Sequence, residues 1–203
     1  MDEARQRGVR HVVFLSVAGA ETNIFVPHHA VERHLMRSDG WTILRPGFFT
    51  QNLGDAYRQD IVERDRIYVP AGRGRVAFVD VRDLADVAAM VFAHPSVYER
   101  HGYTLTGAEA VDFMAVAASL SQTLGRPIRY DPASVWGYVH HLRRRGLPWA
   151  QLAVQTVLHL GVRFGQAAQV DSTLEQLLQR RPRTVRDYVQ DHRVLWKASI
   201  SPR

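Results

Sequence analysis

The sequence predicts an α/β fold: part of a parallel sheet with crossover helices, followed by a mostly helical C-terminal lobe. Two observations predict it. Residues Arg10–Asn52 read as strand, helix, strand and turn, joined by short links. Such alternation is the pattern of parallel strands with crossover helices. From Ala110 onward the apolar spacing is almost entirely helical. The expected division is therefore a partial sheet domain at 1–110 and a helical lobe at 111–203, packed on the first.

Each element has its own signal. HVVFLSV is a short β-branched run, suited to a strand buried on both faces. Gly8 before it is a helix stop, so Asp2–Arg7 reads as the end of a helix. Pro27 opens a helix running to about Arg37, with Val31, Leu35 and His34 toward one face. Asp39-Gly40 closes it. WTILRP is the next strand, ended by Pro46, and FFTQNLGDAYRQDIVERD reads as helical. RIYVPAGRGRVAFVDV places a Gly-rich turn, AGRGR, between two short strands as a hairpin. RDLADVAAMVFAH is an amphipathic helix with Leu84, Val87, Ala88 and Val91 inward and Asp80 near the cap. YTLTG is a further strand. Helices are expected near Asp112–Leu124, Ala133–Arg145, Pro148–Gly161, Ser172–Gln179 and Val185–Leu195, with PIRYD extended between the first two.

Composition narrows the function classes. Of the 203 residues, 46% are hydrophobic, ordinary for a globular chain. No apolar run reaches the roughly 18 residues of a membrane span. The start, MDEARQRGVR, has no apolar core and is not expected to be a signal peptide. With no cysteine, disulfides, thiolate catalysis and sulfur-based zinc sites are excluded; a cytoplasmic location fits. The net charge of +6 is carried by arginine, since Lys197 is the only lysine. Arg143–Arg145 and Arg180–Arg186 are the densest basic groups. They lack interleaved aromatics, so solvated helix faces are expected rather than a nucleic-acid surface.

Taken together, GVRHVVFLSVAGAE, PHHAVERHL, TILRPGFFTQN, AFVDVRDLADVAA and YTLTG with a helix ending in LGRPI resemble the NmrA-like branch of the atypical short-chain dehydrogenase/reductases. Order and spacing match from Gly8 to about Tyr130, and RRPRTVRDYV resembles the end of that family's substrate lobe. The resemblance implies a partial Rossmann-like sheet, the second half of an NAD(P)-binding fold. It implies NAD(P)H-linked reduction of small carbonyl or quinone-like substrates, or alternatively a non-enzymatic redox-sensing or transcription-regulatory role. Family members open with a strand and a G-x-x-G-x-x-G phosphate loop, and this sequence contains none. AGRGRV at Ala71–Val76 comes too late in the order. The expected consequences are a truncated fold, NAD(P) binding that is weak or absent, doubtful activity alone, and an open edge on the HVVFLSV strand. That edge calls for cover by a second copy, a partner strand or the rest of a longer chain.

The resemblance also nominates site residues. Cofactor contacts are expected at Ser16 and Val17 after the first strand, at His28 and His29 on the helix, and at Pro46, Gly47 and Phe48 after the second strand. Substrate contacts are expected at Phe49, Asn52 and Trp136. Ser16 equally reads as a strand-end cap, and Pro46–Phe48 as a tight turn with core aromatics. Asn52 equally reads as a loop holder. His28 and His29 stand where relatives place a Lys or His before the helical Glu, here Glu32; they also read as surface histidines. No tyrosine lies four residues upstream and no lysine is near, so a Tyr–Lys proton relay is excluded and no catalytic residue is assigned. Asp80, Asp83 and Asp86 read as helix-start acids, not as a metal site. Trp136 with Tyr138 and Trp149 could line an apolar pocket.

Overall fold

The structure, a computed structural model, describes residue 3 and residues 6–197. The expected Asp2–Arg7 helix includes residues outside that set. The main sheet holds β1 (Val12–Leu15), β2 (Trp41–Pro46) and β5 (His101–Leu105), in the order β1-β2-β5 and parallel throughout. Register pairs Phe14 with Ile43, and Leu44 with Tyr103. The two connections carry α1 (Pro27–Leu35) and α3 (Val81–Ala93), as the alternation required.

β2 is buried along its whole length because strands flank it and helices cover both faces. On one face Leu35 of α1 packs on Trp41 and Ile43. On the other, Leu84, Val87 and Val91 of α3 pack on Leu44, Val79 and Leu105. Three of the four residues expected on the α3 stripe are thus fully buried. His34 is exposed, and Glu32 takes the inward position.

β1 differs from the expectation of a strand buried on both faces. It borders only β2 among the described residues. Val12 and Ser16 donate their N–H groups to Gly40 and Leu44 of the β2 side, at 2.8 and 2.7 Å. The alternate residues Val13 and Leu15 turn their backbone groups outward, and Leu15 is exposed.

A second layer is built from short pairings. β3 (Arg66–Val69) runs parallel to β7 (Arg129–Pro132), and β4 (Arg75–Val76) pairs antiparallel with β6 (Val111–Asp112). The AGRGR turn therefore joins no hairpin, because β3 and β4 choose different partners. Gly74 shows why: a Cβ there would lie 2.1 Å from the Val162 carbonyl oxygen, so the turn is pressed against a helix. The FFTQNLGDAYRQDIVERD segment breaks into a 3₁₀ turn, Thr50–Leu53, and α2 (Arg58–Arg64).

After α4 (Pro95–Tyr98), four of the five remaining helices begin at a capping residue or a proline. α5 (Phe113–Leu124) is capped by Asp112, which accepts from Ala115 N–H, and stops at left-handed Gly125. α6 (Val135–Arg144) is capped by Ser134, and α7 (Trp149–Arg163) follows Pro148. α8 (Thr173–Leu178) precedes α9 (Val185–Asp191), which has a Thr184–Asp187 capping box. The large core draws Leu53, Ile61, Ile67 and Val76 together with Phe113, Leu120, Tyr138 and Trp196.

The acids of α3 do more than suit its N-terminus. Asp80 caps the helix, as expected. Asp83 is buried and binds Arg180 and Arg183, and Asp86 joins both arginines from outside. Half of the Arg180–Arg186 group is thereby spent on holding the C-terminal arm to α3. No helix among the described residues is long and apolar enough to cross a membrane.

Candidate functional site

The carboxyl ends of β1 and β2 sit side by side, where parallel sheets present ligands. Ser16 follows β1 and is buried. Its backbone N–H bonds to Leu44, and the N–H of Ala18 bonds to Pro46 at 2.9 Å. The turn after β2 is pinned on its far side: Gly47 donates to Leu105 at 2.9 Å, Val79 donates to Phe48, and Thr50 donates to Val79. Ser16, Val17, Pro46, Gly47, Phe48 and Phe49 are thus brought to one sheet end. A Cβ on Gly47 would meet Thr106 and Ala77 at ordinary contact distance, 3.5 and 3.6 Å. The protein's own packing therefore does not demand glycine there.

Beneath this turn lies a buried ionic lock. Ser16 Oγ donates to Glu32 Oε1 at 2.5 Å. Arg45 grips the same carboxylate through Nε at 3.0 and 3.1 Å and through Nη2 at 2.7 Å. A fork of this kind fixes a carboxylate in orientation as well as charge. Burial pushes the Glu32 carboxyl up, but the Arg45 and Ser16 hydrogen bonds outweigh it and hold it below the usual carboxylate range. The Arg45 guanidinium is raised in turn, chiefly by its hydrogen bonds to Glu32. Gly102 of β5 makes room: a Cβ there would fall 2.6 Å from Arg45 Nη1.

The two histidines have separate fates. His29 Nδ1 lies 2.7 Å from the Ala20 carbonyl and donates to it, leaving Nε2 as the ring nitrogen turned elsewhere. His28 leans on Phe14 with ring centroids 6.1 Å apart, and its buried Nδ1 has no partner among the described residues. Both belong to the first turn of α1, close to Ser16 through Glu32.

Two other nominated residues stand apart. Trp136 is 83% exposed on α6. Asn52 makes only backbone bonds, accepting from Tyr57 N–H at 3.0 Å. Its neighbour Gln51 ties the loop instead. Gln51 donates to Asp80 at 2.9 Å and accepts from Val81 N–H at 3.1 Å, joining the turn after β2 to the cap of α3. Replacing Gln51 by alanine should cost about 1 kcal/mol, the scale of a lost side-chain hydrogen bond. Urea unfolding of the two proteins checks it, and an unchanged midpoint would refute the tie.

Sequence reading also missed a buried polar pair behind the turn. Tyr57 Oη lies 2.6 Å from His159 Nε2, and His159 Nδ1 lies 2.6 Å from the Gln155 carbonyl. Nδ1 donates to that carbonyl, so Tyr57 donates to Nε2. Phe48 packs on the His159 ring at 5.9 Å, linking this pair to the turn. Burial lowers His159 to about 4 and raises the Tyr57 hydroxyl well above its usual value.

These residues fit one end of a dinucleotide cofactor. The β1 and β2 ends offer backbone and the Ser16 hydroxyl, with His28 Nδ1, unpartnered among the described residues, on the adjoining helix. They offer no pyrophosphate cradle. The one Gly-spaced turn is filled by α7, with Arg163 against Gly72 and Val162 against Gly74.

No family model matches the chain. It is 29% identical over 201 residues to an NAD(P)H azoreductase of Xenophilus azovorans, covering 97% of this chain and 70% of that protein. It is 30% identical over 196 residues to a (4-alkanoyl-5-oxo-2,5-dihydrofuran-3-yl)methyl phosphate reductase of Streptomyces griseus, covering 93% and 68%. Among solved structures, the Escherichia coli quinone oxidoreductase QOR2 with NADPH superposes with a TM-score of 0.82 at 25% identity, over 94% of this chain and 68% of that one. NmrA, a negative transcriptional regulator, superposes at 0.68 over 94% and 67%; at 14% identity this speaks for the fold alone. The chain belongs to the NmrA-like family of atypical short-chain dehydrogenase/reductases.

Proposed function

We propose that the chain serves NAD(P)H-dependent reduction of quinone-like or small carbonyl substrates, with the nicotinamide end of the cofactor at the carboxyl ends of β1 and β2. One observation carries this reading. Ser16, Val17 and the Pro46–Phe48 turn are gathered there over a rigid Glu32–Arg45 lock, in a chain whose relatives include NAD(P)H reductases. When bound, the cofactor supplies the reducing equivalent. The protein's part is positional. Backbone at residues 16–18 and 46–48 would line the ring, and His28 Nδ1 or His29 Nε2 would meet a ribose or substrate oxygen. Phe49 would border the substrate; Asn52 and Trp136 are proposed there on the family resemblance alone.

Among the described residues the contacts gathered at these strand ends suit the nicotinamide half, and this sets the affinity expected of the 203-residue chain. Only the nicotinamide half gains contacts, so NADPH should bind with a Kd on the order of 1 mM. Reduced nicotinamide mononucleotide should bind about as well, because the adenosine end adds nothing. Fluorescence titration of the 203-residue chain with both ligands tests this. Saturable micromolar binding of NADPH alone would show that a phosphate site exists after all. No binding of either would remove the cofactor reading.

The absence of a Tyr–Lys pair favours a second reading, a non-enzymatic redox-sensing or regulatory protein. NADPH consumption with a quinone acceptor separates the two: turnover supports the reductase, and binding without turnover supports the sensor.

A further inference from the structure

Helix α7 is built inside out. Its inward face carries Leu152, Thr156, His159 and Val162, all buried. The opposite face carries Ala150, Ala153, Val154, Val157 and Leu158, and continues to Phe164 just beyond the helix. These are exposed, with Val154 at 58%, Val157 at 66%, Leu158 at 52% and Phe164 at 77%. The spacing i, i+3, i+4, i+7, i+8 makes them one stripe. A surface helix normally turns its polar residues outward, so a stripe more apolar than the buried face implies a partner. Between Gly146 and Val162 the sequence has no formally charged residue.

We propose that this face is a self-association surface, where two copies of the chain pair α7 against α7 about a two-fold axis. Charge selects a second copy as the occupant. The chain carries a net +6, so two copies repel over most of their surfaces. The α7 stripe is a face free of formal charge, and it offers no ion-pair partner to an acidic or basic protein. Shape agrees. With antiparallel helices centred on Val157, Phe164 of one copy falls opposite Ala150 of the other, a large side chain against a small one. Ala153 falls opposite Gly161, two small residues that let the helices approach closely. Isologous contacts of this kind are self-complementary by construction. The area is also sufficient. The stripe exposes roughly 500 Å² of apolar surface per copy, taking about 150–200 Å² for each large side chain. Two copies would bury about 1,000 Å², the lower bound for a specific interface.

The absence of native cysteine makes a clean test. In Val157→Cys the two thiols would meet on the axis, and mild oxidation should give a covalent dimer in high yield. Val194→Cys, equally exposed but on the Arg193–Trp196 turn, should give little. Sedimentation of the unmodified chain from about 1 to 200 μM should show a monomer–dimer equilibrium. Val157→Arg should weaken it by roughly 100-fold or more, since two cations would face each other. Its circular dichroism and melting temperature should stay those of the parent, as the side chain is outward. A monomer at every concentration, equal crosslinking at both cysteines, or a dimer untouched by Val157→Arg would overturn the proposal. The last result would shift attention to the open β1 edge. Binding of the stripe to phosphatidylcholine vesicles by a chain that stays monomeric would also overturn it, in favour of a lipid surface.

Discussion

Replacing Arg45 by methionine should destabilise the chain by about 3–5 kcal/mol at pH 7, the cost of stranding a buried charge. Glu32 is 1% exposed and has two polar partners, Ser16 and Arg45. Without the guanidinium its carboxylate must either stay charged in a dry site or take up a proton. Protonation is the cheaper course, so the folded-state pKa should rise above the unfolded value of about 4.3. The sign follows. A penalty on the charged form is fully present above the raised pKa and fades as pH falls through it. Urea unfolding should therefore show a gap between parent and Arg45→Met that narrows from pH 7 to pH 5. The double variant Arg45→Met with Glu32→Gln should recover much of the loss, because no charge is left to strand. A cost below about 1 kcal/mol, unchanged with pH, would mean that Glu32 is better solvated than its burial indicates. The variant also bears on the site. Ser16 is aimed by Glu32, so NADPH affinity should fall in Arg45→Met and return in part in the double variant.

The sheet was legible because its signals are local. Alternating apolar runs, Pro27 at a helix start and Asp39-Gly40 after its end each act within a turn or two, and each placed its element to within a few residues. Pairing was less legible. AGRGR looks like a hairpin turn from its neighbours, but β3 finds β7 some sixty residues away, a choice made by the core around Ile67 and Phe113. The site was legible as a place, not as a mechanism. WTILRP names its own anomaly: an arginine in a fully buried strand requires an anion, and Glu32 was the acid on the adjoining helix. Nothing local reveals that Gln51 and not Asn52 closes the loop, since both amides suit a turn and only the position of Asp80 decides. The inverted face of α7 was hidden for a similar reason. Its apolar residues fit either side of a helix, and His159 reads as an outward residue until Tyr57 is placed beside it.

That buried histidine makes the second large prediction, a loss of stability between pH 6.5 and 4. His159 is 3% exposed, surrounded by Phe48, Tyr57, Phe113 and Tyr138. Burial lowers it to about 4, against 6.5 for the free side chain. Its folded form is neutral, with Nδ1–H on Gln155 and Nε2 accepting from Tyr57. The unfolded chain binds a proton at this residue from about pH 6.5 downward, and the folded chain does so only near 4. Stability is therefore complete above pH 6.5 and declines as pH falls toward 4, by up to about 3 kcal/mol at 1.4 kcal/mol per unit. Other groups titrate in this window, so the comparison must be with a neutral replacement. His159→Gln can still accept from Tyr57 and donate to the Gln155 carbonyl, but it cannot take up a proton. Plotted as parent minus variant, unfolding free energy should drop steadily across pH 6.5 to 4 and be flat above 7. A difference independent of pH would mean that the pair opens to water and His159 titrates as an exposed imidazole. Protonation of His159 would break the bond from Tyr57 beneath Phe48 and loosen the turn after β2, so cofactor affinity should weaken as pH falls toward 4.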